Sequence, residues 1–282
     1  MLKKPCGKRT EKERRDEYFG PGRRLAAICF AAAVLFLVFA PHQDVLTTDP
    51  LCTFQGFSAE HLLGTDNLGR DLYALMVEGG LRTLLVIVFS SAISCTAGTA
   101  LGVLAAYSRG MLRSAIQMLA DFTLIIPSFV MALIFSAVFG FRPVTAGLVF
   151  GIGNMGEYVN QARELTESMK NRGFIEGELL LGVRKGRLIF CHILPNIGSQ
   201  LMTYLGNKAG SVTIQYAGLA FIGLGTDVTA PDWGTLLYQY RTYLLTYPRL
   251  VLAPAIAICL LAVFFHVMFD TGGAKEKLTV FD

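Results

Sequence analysis

The sequence predicts an all-α integral membrane protein with six transmembrane helices, and three observations favour this class. The 282 residues are 53% hydrophobic and only 16% charged, which is less charge than the surface of a soluble domain of this length carries. Apolar stretches recur along the chain with lengths close to the ~20 residues that cross a bilayer as a helix. The basic residues lie in short blocks between these stretches, which indicates membrane topology rather than nucleic-acid binding.

The apolar pattern divides the chain into five parts. We expect a cytosolic N-terminal tail over 1–24 without a cleavable signal peptide, the first transmembrane helix over 25–41, an extracytoplasmic loop over 42–82, a core of five transmembrane helices over 83–270, and a cytosolic C-terminal tail over 271–282. The five core spans are predicted over 83–107, 115–139, 144–162, 197–224 and 248–269, with Pro127 kinking the third helix of the chain.

The distribution of lysine and arginine orients this arrangement. Nineteen of the 25 basic residues fall in the tails and in two loops, 108–114 and 163–196, that this topology places inside, against five outside. Because basic residues are retained on the cytoplasmic side, both termini are expected in the cytosol. Of the six cysteines, only Cys52 then faces outward, so no disulfide within the chain is expected there. No cysteine or histidine spacing is typical of a metal site.

The charged loop 163–196 is predicted to be two amphipathic helices separated by a turn at Gly182. It resembles the EAA loop of ABC-importer permeases, which forms the coupling helix that docks on a cytosolic ATPase. Glu176, Gly182, Leu194 and Pro195 carry the resemblance, whereas Gly177 and Glu178 stand in place of the family's two alanines. Glycine in a helix interior costs about 1 kcal/mol relative to alanine, so this helix is expected to be less stable. The alternative is a loop that merely connects two spans.

Further segments resemble the dipeptide/oligopeptide/nickel branch of these permeases, in its C-type subunit. Residues 64–71, here called the GTDNLGRD segment, match its leader signature; physical chemistry alone predicts a turn at Asp66 and Asn67 and then an amphipathic helix from near Gly69. The remaining matches are the Asp121 to Pro127 spacing, residues 219–225, the APDWG segment (230–234), and Ala253 with Pro254. The sequence departs from the family at 74–75 and at 269–272.

The resemblance implies a type I ABC-importer permease fold and a transport function. The permease would pair with a second permease subunit, two cytosolic ATPases and an extracytoplasmic substrate-binding protein, in lipid and without nucleic acid. It would lie in a bacterial or archaeal plasma (inner) membrane. The chain contains no phosphate-binding glycine loop, so no cofactor is expected in this chain, and the ATP would be bound by the partner subunits. Its cargo would be a peptide or a related solute such as nickel or a metal chelate.

Two alternative functions make different demands on the sequence. A secondary transporter working without an ATPase would need ionisable residues in its spans and usually an internal repeat. Only Asp121 and Lys208 support it, and no repeat is visible. A membrane enzyme would need a nucleophile and base arrangement, and the four histidines are scattered. We therefore expect no enzymatic activity in this chain.

The fifth span contains the best candidates for lining a translocation pathway. Tyr204, Lys208, Ser211 and Gln215 are spaced to share one helix face. Lys208 lies about 17 Å from the start of this span at 1.5 Å per residue, near the bilayer midplane, so it should face water or a partner. Two interpretations stay open: Lys208 lines a cavity between two permeases, or it pairs with an acidic residue of the second permease. Gly206 and Gly210 lie on another face, at a spacing typical of close helix packing.

Overall fold

The computed structural model describes residues 45, 47–224 and 231–269, and within these ranges it contains helices and loops without a β-strand. The predicted first span, 25–41, and the two predicted tails, 1–24 and 271–282, lie outside the described residues. The α-helices are α1 (Leu72–Tyr107), α2 (Met111–Ile125), α3 (Ser128–Phe139), α4 (Pro143–Gly153), α5 (Met155–Lys170), α6 (Gly173–Leu180), α7 (Lys185–Leu188), α8 (Leu194–Phe221), α9 (Trp233–Tyr240) and α10 (Pro248–Phe269). Short 3-10 helices cover Pro50–Cys52 and Arg241–Tyr243, and a π-helix covers Ile189–Ile193.

Helix α1 is longer than the span predicted at 83–107, and it begins eleven residues earlier, at Leu72. Asp71 caps its first turn by accepting a hydrogen bond of 3.2 Å from the backbone N–H of Tyr73. A helix of 36 residues extends about 54 Å at 1.5 Å per residue, well beyond the ~30 Å hydrocarbon core. Its first turns are therefore buried in protein, and the separate helix predicted near Gly69 is the start of α1.

The kink predicted at Pro127 is confirmed, and it is much sharper than an ordinary proline bend. Helices α2 and α3 meet at 79° across a short break at Ile126 and Pro127. Proline lacks the N–H that would continue the hydrogen-bond ladder, and its ring excludes the preceding helical turn. The predicted third span is thus a broken pair.

A second break divides the predicted fourth span. Helix α4 ends at Gly153, and α5 begins at Met155, with Asn154 between them. Helix α5 continues to Lys170, beyond the end of the span predicted over 144–162. It packs along α1, where Gly98 and Gly102 leave room for the backbone around Met155 and Val159.

Helices α8 and α10 form the other half of the core. A Cβ atom built on Gly206 would lie 2.1 Å from Cβ of Phe269, and one on Gly210 would lie 3.0 Å from the carbonyl oxygen of Ala262. The two glycines therefore allow the close helix packing that their spacing predicted.

Within the described ranges, two single helices, α1 and α10, are long and apolar enough to cross a bilayer, and the bent pair α2 and α3 passes the same test as one span. Many large apolar side chains of the bundle are exposed, including Met118, Ile125 and Leu260, as expected of a surface that faces lipid. The all-α membrane architecture agrees with the predicted class. The count of six spans stays a prediction, since 25–41 lies outside the described part of the chain.

Candidate functional site

The polar face of α8 contacts α5. Lys208 forms an ion pair with Oε2 of Glu157, and the hydroxyl of Tyr204 donates to the same oxygen. The Lys208 and Glu157 side chains are 24% and 33% exposed, respectively, so this pair is only partly buried. One interpretation of the sequence pairs Lys208 with an acidic residue of the second permease, whereas in the structure Lys208 pairs with Glu157 of its own chain.

The other two residues of the predicted face have separate environments. The side-chain oxygen of Gln215 accepts a hydrogen bond of 3.0 Å from the hydroxyl of Ser128 at the start of α3. Ser211 is exposed, and its hydroxyl donates to the carbonyl of Asn207 on its own helix. The face therefore spans two neighbours, α5 near Lys208 and α3 near Gln215.

Between these two contacts lies a cavity of about 340 Å³. It is bordered by both helix breaks, with Pro127 and Ser128 on one side and Asn154 and Glu157 on the other, and Gln215 also lines it. Sequence reasoning missed Asn154, Glu157 and Ser128 as site residues. An acid within a membrane span is a signal that could have identified Glu157, because such residues are rare unless they have a function or a partner.

The charged loop 163–196 contains the predicted helix–turn–helix. Glu176, Gly177 and Glu178 lie on α6, and Gly182 follows in the turn with a φ of +77°, a conformation that favours glycine. After α7 and the π-helix, Leu194 and Pro195 open α8. We call residues 173–195 the coupling segment.

The coupling segment has a buried face and an exposed tip. Ile175, Leu188 and Ile193 are fully buried and pack in one cluster with side chains of α1 and α5. Leu180 and Leu181, next to Gly182, are 89% and 84% exposed. Across the turn, Nε2 of His192 lies 3.2 Å from Oε2 of Glu178. Glu178, which stands in place of a family alanine, therefore connects α6 to the π-helix on the other side of the turn.

The GTDNLGRD segment is a buried polar cluster centred on Asp66. The Arg70 guanidinium lies 2.8 Å from Oδ2 of Asp66, and the backbone N–H groups of Leu68 and Arg70 donate to its Oδ1. The Asp66 side chain is fully buried and that of Arg70 is 3% exposed. Such a buried pair is stable only when its remaining polar atoms are also satisfied.

Residues 231–234 of the APDWG segment pack against α1. Trp233 donates a hydrogen bond of 2.8 Å from its indole N–H to the carbonyl of Met76. Asp232 caps α9, since its Oδ1 accepts from the N–H groups of Gly234 and Thr235. Burial raises the pKa of Asp232 to about 6, although these hydrogen bonds act in the opposite direction. Helix α9, which these residues open, reaches the GTDNLGRD cluster at Gln239, whose Oε1 accepts a hydrogen bond from the Arg70 guanidinium.

Comparison with known proteins identifies a family and several relatives that share this sequence pattern. Residues 98–271 match the family described as binding-protein-dependent transport system inner membrane component. Dipeptide transport system permease protein DppC of Alkalihalophilus pseudofirmus is 30% identical over 254 residues, which cover 89% of this chain and 83% of that protein. Di/tripeptide transport system permease protein DppC of Pseudomonas aeruginosa is 30% identical, with 90% and 86% covered. Glutathione transport system permease protein GsiD of Pectobacterium atrosepticum is 28% identical, with 79% and 74% covered.

These matches extend through α1 to α10, including the coupling segment and the polar face of α8. They agree with a multi-pass membrane location and with a transport component whose ATP hydrolysis occurs on separate subunits, rather than with an enzyme. They also favour an ATP-driven importer over a secondary transporter. The chain belongs to the binding-protein-dependent transport system inner membrane components, as a C-type permease subunit of the peptide group of ABC importers.

Proposed function

We propose that this chain forms one half of the pathway through which short peptides enter the cell, with a second, B-type permease as the other half. The relatives described above are named for dipeptide, di/tripeptide and glutathione transport, which favours peptides over nickel or a metal chelate. The polar face of α8, with Tyr204, Lys208, Ser211 and Gln215, would contribute to that pathway.

One observation carries this proposal. The coupling segment connects α5 directly to α8, and these are the two helices joined by Glu157, Lys208 and Tyr204. A displacement of the coupling segment would therefore act on both sides of the polar face at once. Such continuity is what a transporter needs to link an external ATPase to its pathway.

We further propose that the exposed tip of the coupling segment docks on one of two cytosolic ATPases. Leu180 and Leu181 would insert into a groove of that ATPase, with Arg184, Lys185 and Arg187 exposed beside them. Apolar side chains surrounded by polar ones are typical of such a contact. The buried residues Ile175 and Leu188 would transmit the force to the bundle. This assigns roles to Glu176, Gly177, Glu178, Gly182, Leu194 and Pro195 as positioning residues of the segment.

In this arrangement both termini and the coupling segment lie in the cytosol, and the GTDNLGRD and APDWG segments lie outside. The nineteen-to-five distribution of basic residues supports this orientation. An extracytoplasmic binding protein would deliver the peptide to the outer surface.

The proposal is tested by uptake into proteoliposomes that contain this chain with its partner permease and ATPases. We expect uptake of a radiolabelled dipeptide that requires ATP and the binding protein, and that persists when ion gradients are dissipated by ionophores. Uptake that continues without ATP but stops with the ionophores would instead support the secondary transporter. Uptake of nickel in place of the dipeptide would change the cargo and keep the permease function.

A further inference from the structure

The two helix breaks of the bundle lie against each other. Gly153, the last residue of α4, approaches so closely that a Cβ atom there would lie 2.9 Å from Cβ of Ser128, the first residue of α3. Backbone groups released at a break cannot stay exposed to lipid, so such breaks occur where they are buried in protein or line a polar cavity. Here they border the cavity of about 340 Å³.

A side chain at this cavity is poised to bind a ligand. Asn154 is only 4% exposed, and within the described part of the chain its amide nitrogen Nδ2 has no hydrogen-bond partner. A buried donor without a partner costs about 1–3 kcal/mol, so it is retained only where something else compensates that cost. Asn154 lines the cavity, and a ligand carbonyl or carboxylate there would accept its hydrogen bond.

The remaining polar groups define the chemistry of that ligand. Glu157 supplies a carboxylate to the cavity, and both of its contacts, from Lys208 and Tyr204, fall on the single oxygen Oε2. Gln215 supplies an amide whose oxygen is already used by Ser128, which leaves its N–H groups as donors. The cavity thus offers amide donors and one carboxylate, with no net charge once Lys208 is included.

We propose that this cavity binds the amino-terminal end of a short peptide in transit, with Glu157 meeting the α-ammonium group and Asn154 and Gln215 donating to its peptide and carboxyl oxygens. The inference rests on the proposed function, since it names the groups of a peptide that the pathway recognises. A zwitterion suits a site whose own charges balance. The cavity volume falls within the ~300–1,000 Å³ range of small-molecule sites.

The experiment uses the complete complex with its binding protein and labelled L-alanyl-L-alanine. We expect Asn154→Leu and Gln215→Leu, which keep side-chain volume, each to lower uptake at least about fivefold through a lost hydrogen bond. ATP hydrolysis stimulated by the binding protein should change less than about twofold. Thr96→Ala is the control, because Thr96 is exposed on α1 and its hydroxyl donates only to its own helix.

Analogues test the assigned orientation. N-acetyl-L-alanyl-L-alanine should compete poorly for uptake in the unmodified complex, and the double variant Glu157→Gln with Lys208→Gln, which stays neutral, should lose this discrimination. Uptake by the Asn154→Leu and Gln215→Leu variants at the control rate would overturn the binding site and leave the permease function intact. If the unmodified complex hydrolyses ATP but imports no dialanine, both the site and the proposed peptide function fail.

Discussion

The hydroxyl of Tyr240 donates a hydrogen bond of 2.8 Å to Oδ2 of Asp66, which lies 174 positions earlier in the chain. Tyr240 ends α9, and Asp66 is the centre of the GTDNLGRD segment. Both side chains are fully buried. The contact fixes the loop before α1 to the short helix before α10, and it gives a segment without any derivable catalytic chemistry a clear structural role.

Removing this hydrogen bond is expected to destabilise the fold. Tyr240→Phe leaves one acceptor position of a buried carboxylate unsatisfied, which costs about 1–3 kcal/mol. Asp66→Asn leaves the Arg70 guanidinium buried without its counter-ion and should cost more, about 3–5 kcal/mol. Thermal unfolding of the purified protein in detergent, followed by the fluorescence of Trp233, measures both.

Tyr243→Phe is the matched control for Tyr240→Phe. Tyr243 is half-exposed, and its ring packs on Phe54 with a centroid distance of 5.2 Å. Loss of its hydroxyl should leave the unfolding temperature nearly unchanged. Equal unfolding temperatures for Tyr240→Phe and the unmodified protein would show that the contact to Asp66 contributes nothing.

Much of the helix pattern follows from the sequence, and its limits have physical causes. The span predicted at 248–269 coincides with α10 because an apolar run begins there at a proline. The predicted start of the second span, residue 83, is eleven residues too late, because the charged Glu78 and Arg82 are typical of a loop. In the structure they are an ion pair at 3.1 Å along one helix, and helical spacing of opposite charges was the available signal.

The contacts of the candidate site show a second limit of sequence-based prediction, which concerns residues that are far apart in the chain. Periodicity grouped Tyr204 and Lys208 on one face of α8, because helical geometry is local. It could not say which helix that face meets, since the contact with Glu157 joins residues about fifty positions apart. For the same reason the cavity at Asn154 and Ser128 was invisible, as it exists only where two separate breaks converge.

The raised pKa of Asp232 predicts a pH-dependent stability. Its folded pKa of about 6 exceeds the ordinary value of 3.8, so the folded state binds the proton more tightly than the unfolded state does. Below about pH 4 the group imposes no penalty, and as pH rises through about 6 the fold loses up to about 3 kcal/mol. Unfolding temperatures measured from pH 4 to pH 8 should fall over this window.

Asp232→Asn should flatten this profile. Asparagine keeps an oxygen that accepts the hydrogen bonds of Gly234 and Thr235, and it is an equally good helix cap. The variant should therefore be at least as stable as the unmodified protein at pH 8. A profile that keeps its slope in Asp232→Asn would assign the pH dependence to other groups.

The coupling segment offers a matched pair of glycine substitutions. A Cβ atom at either Gly177 or Gly182 would meet no atom within 4 Å, so the two positions differ mainly in backbone conformation. Gly177→Ala should stabilise α6 by up to about 1 kcal/mol. Gly182→Ala forces a side chain into a φ of +77° and should cost about 1–2 kcal/mol.

The two variants should act in opposite directions on coupling. We expect Gly177→Ala to maintain or raise binding-protein-stimulated ATP hydrolysis in the reconstituted complex, and Gly182→Ala to lower it while the protein stays in the membrane. Reduced stimulation in both variants would indicate that the small size of residue 177, rather than helix stability, matters for docking.

Thiol labelling tests the proposed orientation. In intact cells a membrane-impermeant maleimide should label a variant that retains only Cys52, but not one that retains only Cys191, although Cys191 is exposed on the folded chain. A hydrogen bond with Asp49 raises the pKa of the Cys52 thiol, so its labelling should accelerate as pH increases above neutral. Cys6 belongs to the same inner set and lies outside the described residues. Labelling of Cys191 without permeabilisation would show that the coupling segment lies outside the cell and would contradict the proposed orientation.

Because Lys208 pairs with Glu157, the stability of the contact between α5 and α8 should depend on the balance of these two charges. Lys208→Met or Glu157→Gln alone leaves one charge without its counter-ion inside the bundle, so each should lower the yield of folded protein and its unfolding temperature. The double variant restores neutrality and should recover most of that loss. Transport should stay low in all three, because each variant removes a charged group of the proposed pathway or leaves Glu157 without its counter-ion. Size-exclusion profiles and dipeptide uptake separate the two effects. Normal transport by the double variant would restrict the pair to a structural role that holds α5 against α8.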